Sequence, residues 1–243
     1  MPGKRHPKLH KALIRFQVDR LKVTYNDFLE KEEYREITRF FLNEVYTTKD
    51  ITERNAGFKK VYQKFNGKIG ASLANNLAGL IELNDLSEHL DQLMVGKLHQ
   101  MGMGEKFSED EYEEAYYLTD VYDERKEQID LIVKSLQTFH ALSKFRSIGL
   151  TLSVIRPYAL LKGARNLMDF MQEGYRVFRV TKDVVPFQKE IHKSELKRLD
   201  RIYSLGKRPP TIGELRKRAK EMGIKGADRM TLRRMMQEMS RWT

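Results

Sequence analysis

Apolar residues recur at the three- and four-residue spacing of an α-helix along nearly the whole chain, and the alternation typical of strands is almost absent. Only 6 prolines and 15 glycines interrupt the 243 residues, which leaves room for long helices. The pattern predicts an all-α protein, built as a multi-helix bundle with a small C-terminal helix-extended-helix appendage. We expect about six or seven helices in the bundle.

The helical pattern divides into segments with recognisable ends. Ser108 and Glu111 have the spacing of a capping box, which predicts that a long helix begins at residue 109. Pro157 either starts a new helix or kinks a continuous one. The predicted helices cover approximately residues 10–30, 34–45, 51–64, 69–99, 109–145, 148–180 and 186–203.

A proline pair marks a domain boundary near residue 206. Pro209 and Pro210 cannot extend a helix, and two consecutive prolines make a stiff connector. The sequence therefore predicts a helical bundle over residues 1–206 and a basic helix-extended-helix module over residues 207–243.

The net charge of +11 is concentrated at the two ends of the chain. Residues 207–243 hold eleven Lys or Arg and four Asp or Glu, and residues 1–11 hold four bases and no acid. Residues 12–206 are neutral overall, although residues 105–130 hold eleven acids and three bases. This polarity indicates partners that are recognised electrostatically, whereas the acidic stretch is more typical of a solvated helix face.

The composition excludes several classes of protein. There is no cysteine, so disulfides, thiolate catalysis and cysteine-ligated metal sites are excluded. The longest charge-free run, residues 69–81, is too short for a membrane span and contains two asparagines. No apolar segment follows the basic N-terminus as it would in a secretory signal. We therefore expect a cytoplasmic protein without a membrane span.

The C-terminal segment has the features of two short helices joined by an extended connector. Thr211 and Glu214 form a second capping box, which predicts a helix that starts sharply after the proline pair. Gly223 permits a left-handed end to that helix, and Gly226 permits a turn in the connector. The apolar face of this helix comprises Ile212, Leu215, Ala219 and Met222.

Residues 210–242 resemble a known small fold. The resemblance is carried by Thr211-Ile212, Glu214-Leu215, Ala219-Lys220, the Met-Gly-Ile-Lys-Gly connector at residues 222–226, Met230 and Leu232. In these features the segment is similar to the helix-extended-helix modules of the Rho-terminator N-terminal and SAP types. Those families bind single-stranded RNA or duplex DNA, so the resemblance implies nucleic-acid binding here.

Seven basic side chains remain for the outside of this module, and we predict that they contact nucleic-acid phosphates. An alternative interpretation is that these are basic amphipathic helices that dock on the bundle or on another protein. The predicted contacts are Arg216, Lys217, Lys220, Lys225, Arg229, Arg233 and Arg234.

The bundle carries a second, weaker resemblance. Residues 40–46 read Phe-Phe-Leu-Asn-Glu-Val-Tyr and are followed by Lys49-Asp50 and Arg54. This pattern resembles an uncharacterised group of helical bacterial proteins without an assigned activity. It supports a helical body, and we interpret the aromatic residues as core.

The sequence gives no motif for catalysis, a metal or a cofactor, and none is predicted. It contains neither the Glu-x-x-His pairs of di-metal bundles nor a nucleophile elbow nor a phosphate-binding loop. Glu82, Asp85, Glu88 and His89 are interpreted as a solvated helix face.

Two other functions stay open for the bundle. A protein–protein scaffold would expose an apolar patch. An enzyme or a carrier of haem or metal would hold an interior cavity lined by carboxylates or by His89, His99 or His140.

Four tyrosines interleave with the acids of residues 105–130, and we expect them to cover the edge of the core. In an alternative interpretation, this acidic helix is a docking site for a basic partner such as the C-terminal module itself. The tyrosines are Tyr112, Tyr116, Tyr117 and Tyr122.

Overall fold

The protein is all-α, as predicted, and its structure is a computed structural model. The structure describes residues 6–45, 54–57, 59, 71–161 and 165–203, and in the C-terminal segment residues 216, 219–224, 226, 227, 230 and 238. None of these residues forms a strand. The helices pack side by side as a bundle.

Nine α-helices and one π-helical turn of the bundle have both ends within the described residues. The turn Phe41–Val45 continues α3 directly. The helices are α1 (Pro7–Thr24), α2 (Asn26–Glu30), α3 (Glu32–Phe40), α4 (Ala71–Gln100), α5 (Glu109–Leu118), α6 (Tyr122–Ser143), α7 (Arg146–Leu161), α8 (Arg165–Val180) and α9 (Val185–Tyr203). Of the helix predicted over residues 51–64, only residues 54–57 and 59 are described, and these are helical.

The predicted continuous helix over residues 109–145 is wrong, because the chain breaks between α5 and α6. Asp120 has a left-handed backbone conformation with a φ of 54°. The hydroxyl of Tyr203, on α9, accepts a hydrogen bond of 3.1 Å from the backbone N–H of Val121 and so replaces a helical partner. The predicted start of this region is confirmed, because Ser108 and Glu111 form both hydrogen bonds of a capping box.

Two further boundaries differ from the sequence pattern. The predicted helix over residues 10–30 is divided at Tyr25, which separates α1 from α2. Pro157 lies inside α7 and does not start a helix.

Helix α6 lies at the centre of the bundle and packs against α4, α8 and α9. The main core contains four completely buried aromatic side chains from distant parts of the chain, Tyr25, Phe41, Phe178 and Phe187. The rings of Tyr25, Phe41 and Phe187 meet edge to face at centroid distances of 5.7 to 6.2 Å. Aromatic packing of this kind stabilises the fold beyond the area that it buries.

A second apolar cluster joins α1, α4 and α5. Leu13, Met94, Leu98 and Ala115 are completely buried there. This cluster fixes α5 against the bundle and so positions the acidic residues of that helix. Within the described part of the chain, we find no helix with the length and apolar character needed to cross a membrane.

Candidate functional site

The described residues of the C-terminal module form a small core of their own. Ala219, Ile224 and Ala227 are buried together, with Met222 and Met230 packed against them. Gly223 has a φ of 75°, and the N–H of Ile224 donates to the carbonyl of Ala219 at 2.9 Å. This is the Schellman arrangement that ends a helix, so the turn predicted at Gly223 is confirmed.

Two of the seven predicted nucleic-acid contacts lie within the described residues. Lys220 is exposed, whereas Arg216 is half-buried. The Nε atom of Arg216 is buried and has no hydrogen-bond partner in the part of the chain that the structure describes. The remaining five predicted contacts lie outside the described residues: Lys217, Lys225, Arg229, Arg233 and Arg234.

Arg216 lies near α5 of the bundle, where it acts on Glu114. The side chain of Glu114 is 6% exposed, and neither of its carboxylate oxygens has a hydrogen-bond partner among the described residues. Burial raises the pKa of Glu114 to about 7, and the positive charge of Arg216 opposes this shift. The start of the module therefore lies close to a buried carboxyl of the bundle.

Two further acids of α5 are engaged by arginines of α9. Arg198 forms ion pairs with Glu109 at 3.2 Å and with Glu113 at 2.9 Å. Arg201 also donates to Glu113, at 2.7 Å. The charges of Glu109 and Glu113 are thus compensated within the bundle.

The four tyrosines cover the edge of the core, as the sequence indicates. Tyr112 is buried, and Tyr116, Tyr117 and Tyr122 surround the ring of Tyr203 at centroid distances of 5.5 to 6.2 Å. The cluster therefore joins α5 and the start of α6 to the end of α9.

The acidic stretch of α4 faces solvent, as predicted. Glu82, Asp85 and Glu88 are exposed, and Asp85 forms an ion pair with Lys59 at 2.7 Å. His89 is also exposed and lies 3.3 Å from Glu124. Across the described residues, no three His, Asp or Glu side chains are grouped as metal ligands.

The other two histidines considered from the sequence have local partners. The Nε2 atom of His140 lies 3.1 Å from the carbonyl of Thr181. The ring of His99 stacks on that of His6 at a centroid distance of 3.7 Å. A cavity also lies between the helices of the bundle, and none of the described residues that line it is a histidine.

The sequence did not indicate the ionic groups inside the bundle. Arg20 of α1 forms two hydrogen bonds of 2.9 Å with Glu195 of α9, and the hydroxyl of Tyr25 donates to the same carboxylate. Arg125 of α6 is only 3% exposed. Because Arg20 and Glu195 are 175 residues apart, no local spacing signals their pairing.

These groups line a cavity of about 190 Å³ between the helices. Its wall contains two carboxylates, Asp91 and Glu195, and the four arginines Arg20, Arg54, Arg125 and Arg198. Apolar side chains from α3, α4, α6 and α8 complete it. The carboxylates in this wall agree with the cavity that the sequence analysis associates with an enzyme or a carrier. The arginines in the wall are not predicted from the sequence.

Comparison with known proteins identifies a family for this chain, and that family has no assigned activity. A family model described as a domain of unknown function, DUF8198, matches residues 3–209. No curated protein and no solved structure matches the chain.

Proposed function

We propose that this chain, which belongs to the DUF8198 family of unknown function, is a non-catalytic nucleic-acid-binding protein. The observation that carries this proposal is the distribution of charge. Residues 207–243 hold eleven bases and four acids, whereas residues 12–206 are neutral. A small basic fold beside a neutral bundle presents a concentrated positive surface to a polyanion.

The module binds through phosphates and not through base edges. Lysine and arginine side chains release counterions when they meet the backbone, and this supplies affinity with little choice of sequence. The bundle then serves as an assembly or regulatory platform for the bound module.

The seven predicted contacts divide into two roles in this proposal. The position of Arg216 near Glu114 supports a docking role, because its half-buried guanidinium is directed at the bundle. The exposure of Lys220 supports a phosphate contact. We assign the other five contacts to phosphate as well.

Charge reversal in the full-length protein tests this assignment. The test variant carries Lys225→Glu, Arg229→Glu and Arg233→Glu. The matched control carries Lys134→Glu, Lys189→Glu and Lys193→Glu, three exposed positions of α6 and α9 with the same total change of charge. Binding to a single-stranded RNA and to a DNA duplex is measured by fluorescence anisotropy across a series of salt concentrations.

We expect the test variant to bind more weakly and with a smaller dependence on salt. Loss of three phosphate contacts lowers the slope of log K against log salt by about 2.7 on duplex DNA or about 2.1 on a single strand. The control keeps the slope of the unmodified protein. Equal loss in both variants would show that only net charge matters, and unchanged binding in the test variant would refute the proposal.

The second candidate function, a protein–protein scaffold, is favoured by exposed apolar side chains at α7. Phe145, Leu150 and Val154 are 62%, 69% and 77% exposed, and the last two lie one helical turn apart. This function predicts self-association that rises with concentration and is lost in Leu150→Glu. Sedimentation of the two proteins over a range of concentrations measures it, and a monomer throughout would argue against self-assembly through this face.

A further inference from the structure

The cavity of the bundle has a polar end and an apolar end. Arg125 of α6 contacts the Leu90 carbonyl of α4, and Gln128 contacts Ser87, so the two helices run antiparallel along the wall. The lining residues Ser87, Asp91, Arg125 and Gln128 lie at this level of the two helices. In the layers further along α6, the lining side chains include Ile132, Leu136 and Phe139.

Two of the four arginines in the wall, Arg20 and Arg198, are matched by carboxylates. Arg20 is paired twice with Glu195 at 2.9 Å, and this carboxylate holds the pKa of Arg20 above its ordinary value. Arg198 pairs with Glu113 at 2.9 Å. Both guanidinium groups therefore have their own counter-charge within the bundle.

Arg54 donates to the backbone carbonyl of Glu44 and to the side-chain oxygen of Asn55, whereas Arg125 is held by weaker contacts. It forms no ion pair with any described residue, although it is the most buried of them at 3% exposure. Among the described residues it forms two hydrogen bonds, both long, 3.3 Å to the carbonyl of Leu90 and 3.4 Å to the amide oxygen of Gln128, and its Nε has no partner there. A buried cation of this kind is stabilised by an anion placed beside it.

The surroundings of Arg125 leave room for such an anion. Its guanidinium stacks on Tyr116 at 4.3 Å from the ring centroid, which keeps the group flat against one wall. Asp91 also lines the cavity and accepts a hydrogen bond of 3.0 Å from Gln17. Burial raises the pKa of Asp91, and the charge of Arg125 opposes this shift.

The volume and the far wall limit the rest of the ligand. A cavity of 190 Å³ is somewhat larger than an engineered cavity of about 150 Å³ that accepts benzene. Its opposite end is lined by aromatic rings, including Phe40, Phe139 and Phe170, that favour hydrocarbon over water, and the guanidinium of Arg54 lies over the Phe170 ring at 4.7 Å from its centroid. A carboxylate joined to one ring or to a short chain fits both ends.

We propose that this cavity binds a small monocarboxylate with an aromatic or short hydrocarbon group, held by the guanidinium of Arg125. The carboxylate lies against Arg125 and Gln128, and the apolar group lies between Leu136 and the phenylalanines. This binding site involves the bundle alone and is independent of the proposed nucleic-acid function.

Isothermal titration calorimetry of the full-length protein with matched pairs of probes tests the proposal. Octanoate and phenylacetate carry the charge, and octanamide and phenylacetamide are their neutral counterparts. We expect each carboxylate to bind about tenfold or more tightly than its amide, because a hydrogen bond to a charged group is the stronger one. Equal affinity within a pair, or no heat from either carboxylate at millimolar concentration, would overturn the proposal.

Two variants locate the site. Arg125→Met keeps a long apolar side chain and should remove the preference for the carboxylate while weak binding of the amide persists. Leu136→Trp fills the opposite end and should weaken all four probes, with Arg125 untouched. If Arg125→Met does not fold by circular dichroism, Leu136→Trp still decides, because undiminished binding there would place the ligand elsewhere.

Discussion

Two regions of this molecule bury charged groups in opposite ways. Between α1 and α9, Arg20, Tyr25 and Glu195 form a paired cluster in which one carboxylate accepts three hydrogen bonds of 2.9 Å. Beside the C-terminal module, Glu114 is buried, and neither oxygen has a partner among the described residues. The first arrangement fixes α1 and α9 against each other, and the second leaves a carboxyl group whose protonation state can change.

The largest effect is expected from breaking the paired cluster. Glu195→Ala leaves the guanidinium of Arg20 and the hydroxyl of Tyr25 without their acceptor, and both side chains of the ion pair are only 16% exposed. We expect the free energy of unfolding to fall by about 3 to 5 kcal/mol, measured by urea denaturation at pH 7. A loss below about 1 kcal/mol would mean that water replaces the missing carboxylate.

Glu114→Gln should have a smaller effect of opposite sign. The pKa of Glu114 is raised from 4.5 to about 7, so the folded protein binds a proton more tightly than the unfolded chain. This stability is fully present below about pH 4.5 and is lost as the pH rises through about 7. At pH 8 the variant, which carries no charge there, should be more stable than the unmodified protein by about 1 kcal/mol.

Thermal unfolding of both proteins between pH 4.5 and pH 8 measures this difference. The two curves should converge at the acid end and separate toward pH 8. Curves that run parallel over the whole range would show that Glu114 is already paired in the folded protein, and the contrast between the two regions would disappear.

The smallest effect is expected from removing an exposed ion pair, which serves as the solvent-exposed reference for the buried pair of Arg20 and Glu195. Arg176 contacts Glu36 and Glu173, and its side chain is 53% exposed. Because solvent screens these charges, Arg176→Ala should change the free energy of unfolding by less than about 1 kcal/mol in the same urea experiment. A loss as large as that of Glu195→Ala would show that burial does not distinguish the two pairs.

Local signals in the sequence predict local structure well. The capping box of Ser108 and Glu111 and the left-handed turn at Gly223 both depend on residues within five positions of each other, and both are present. The all-α fold follows from the same short-range periodicity.

The break at Asp120 shows where such reasoning stops. No glycine or proline marks it, and the groups that stabilise it come from α9, where Tyr203 accepts from Val121 across 82 residues. The arginines of the cavity are hidden for the same reason. Arg125 looks like any charged residue of an amphipathic helix until the packing of α4 and α6 places it inside.

The π-helical turn of residues Phe41–Val45 also bears on how the length of this protein can vary. A π-helical turn holds one residue more than an α-helical turn, and both Phe40 and Phe41 are buried where it begins. Deleting one residue within the turn would restore regular winding and keep the preceding phenylalanines in place. Deleting one residue within α3 would rotate the side chains beyond it by about 100° and turn Phe41 out of the core. Natural variation in the length of α3 and the π-helical turn should therefore fall in the turn.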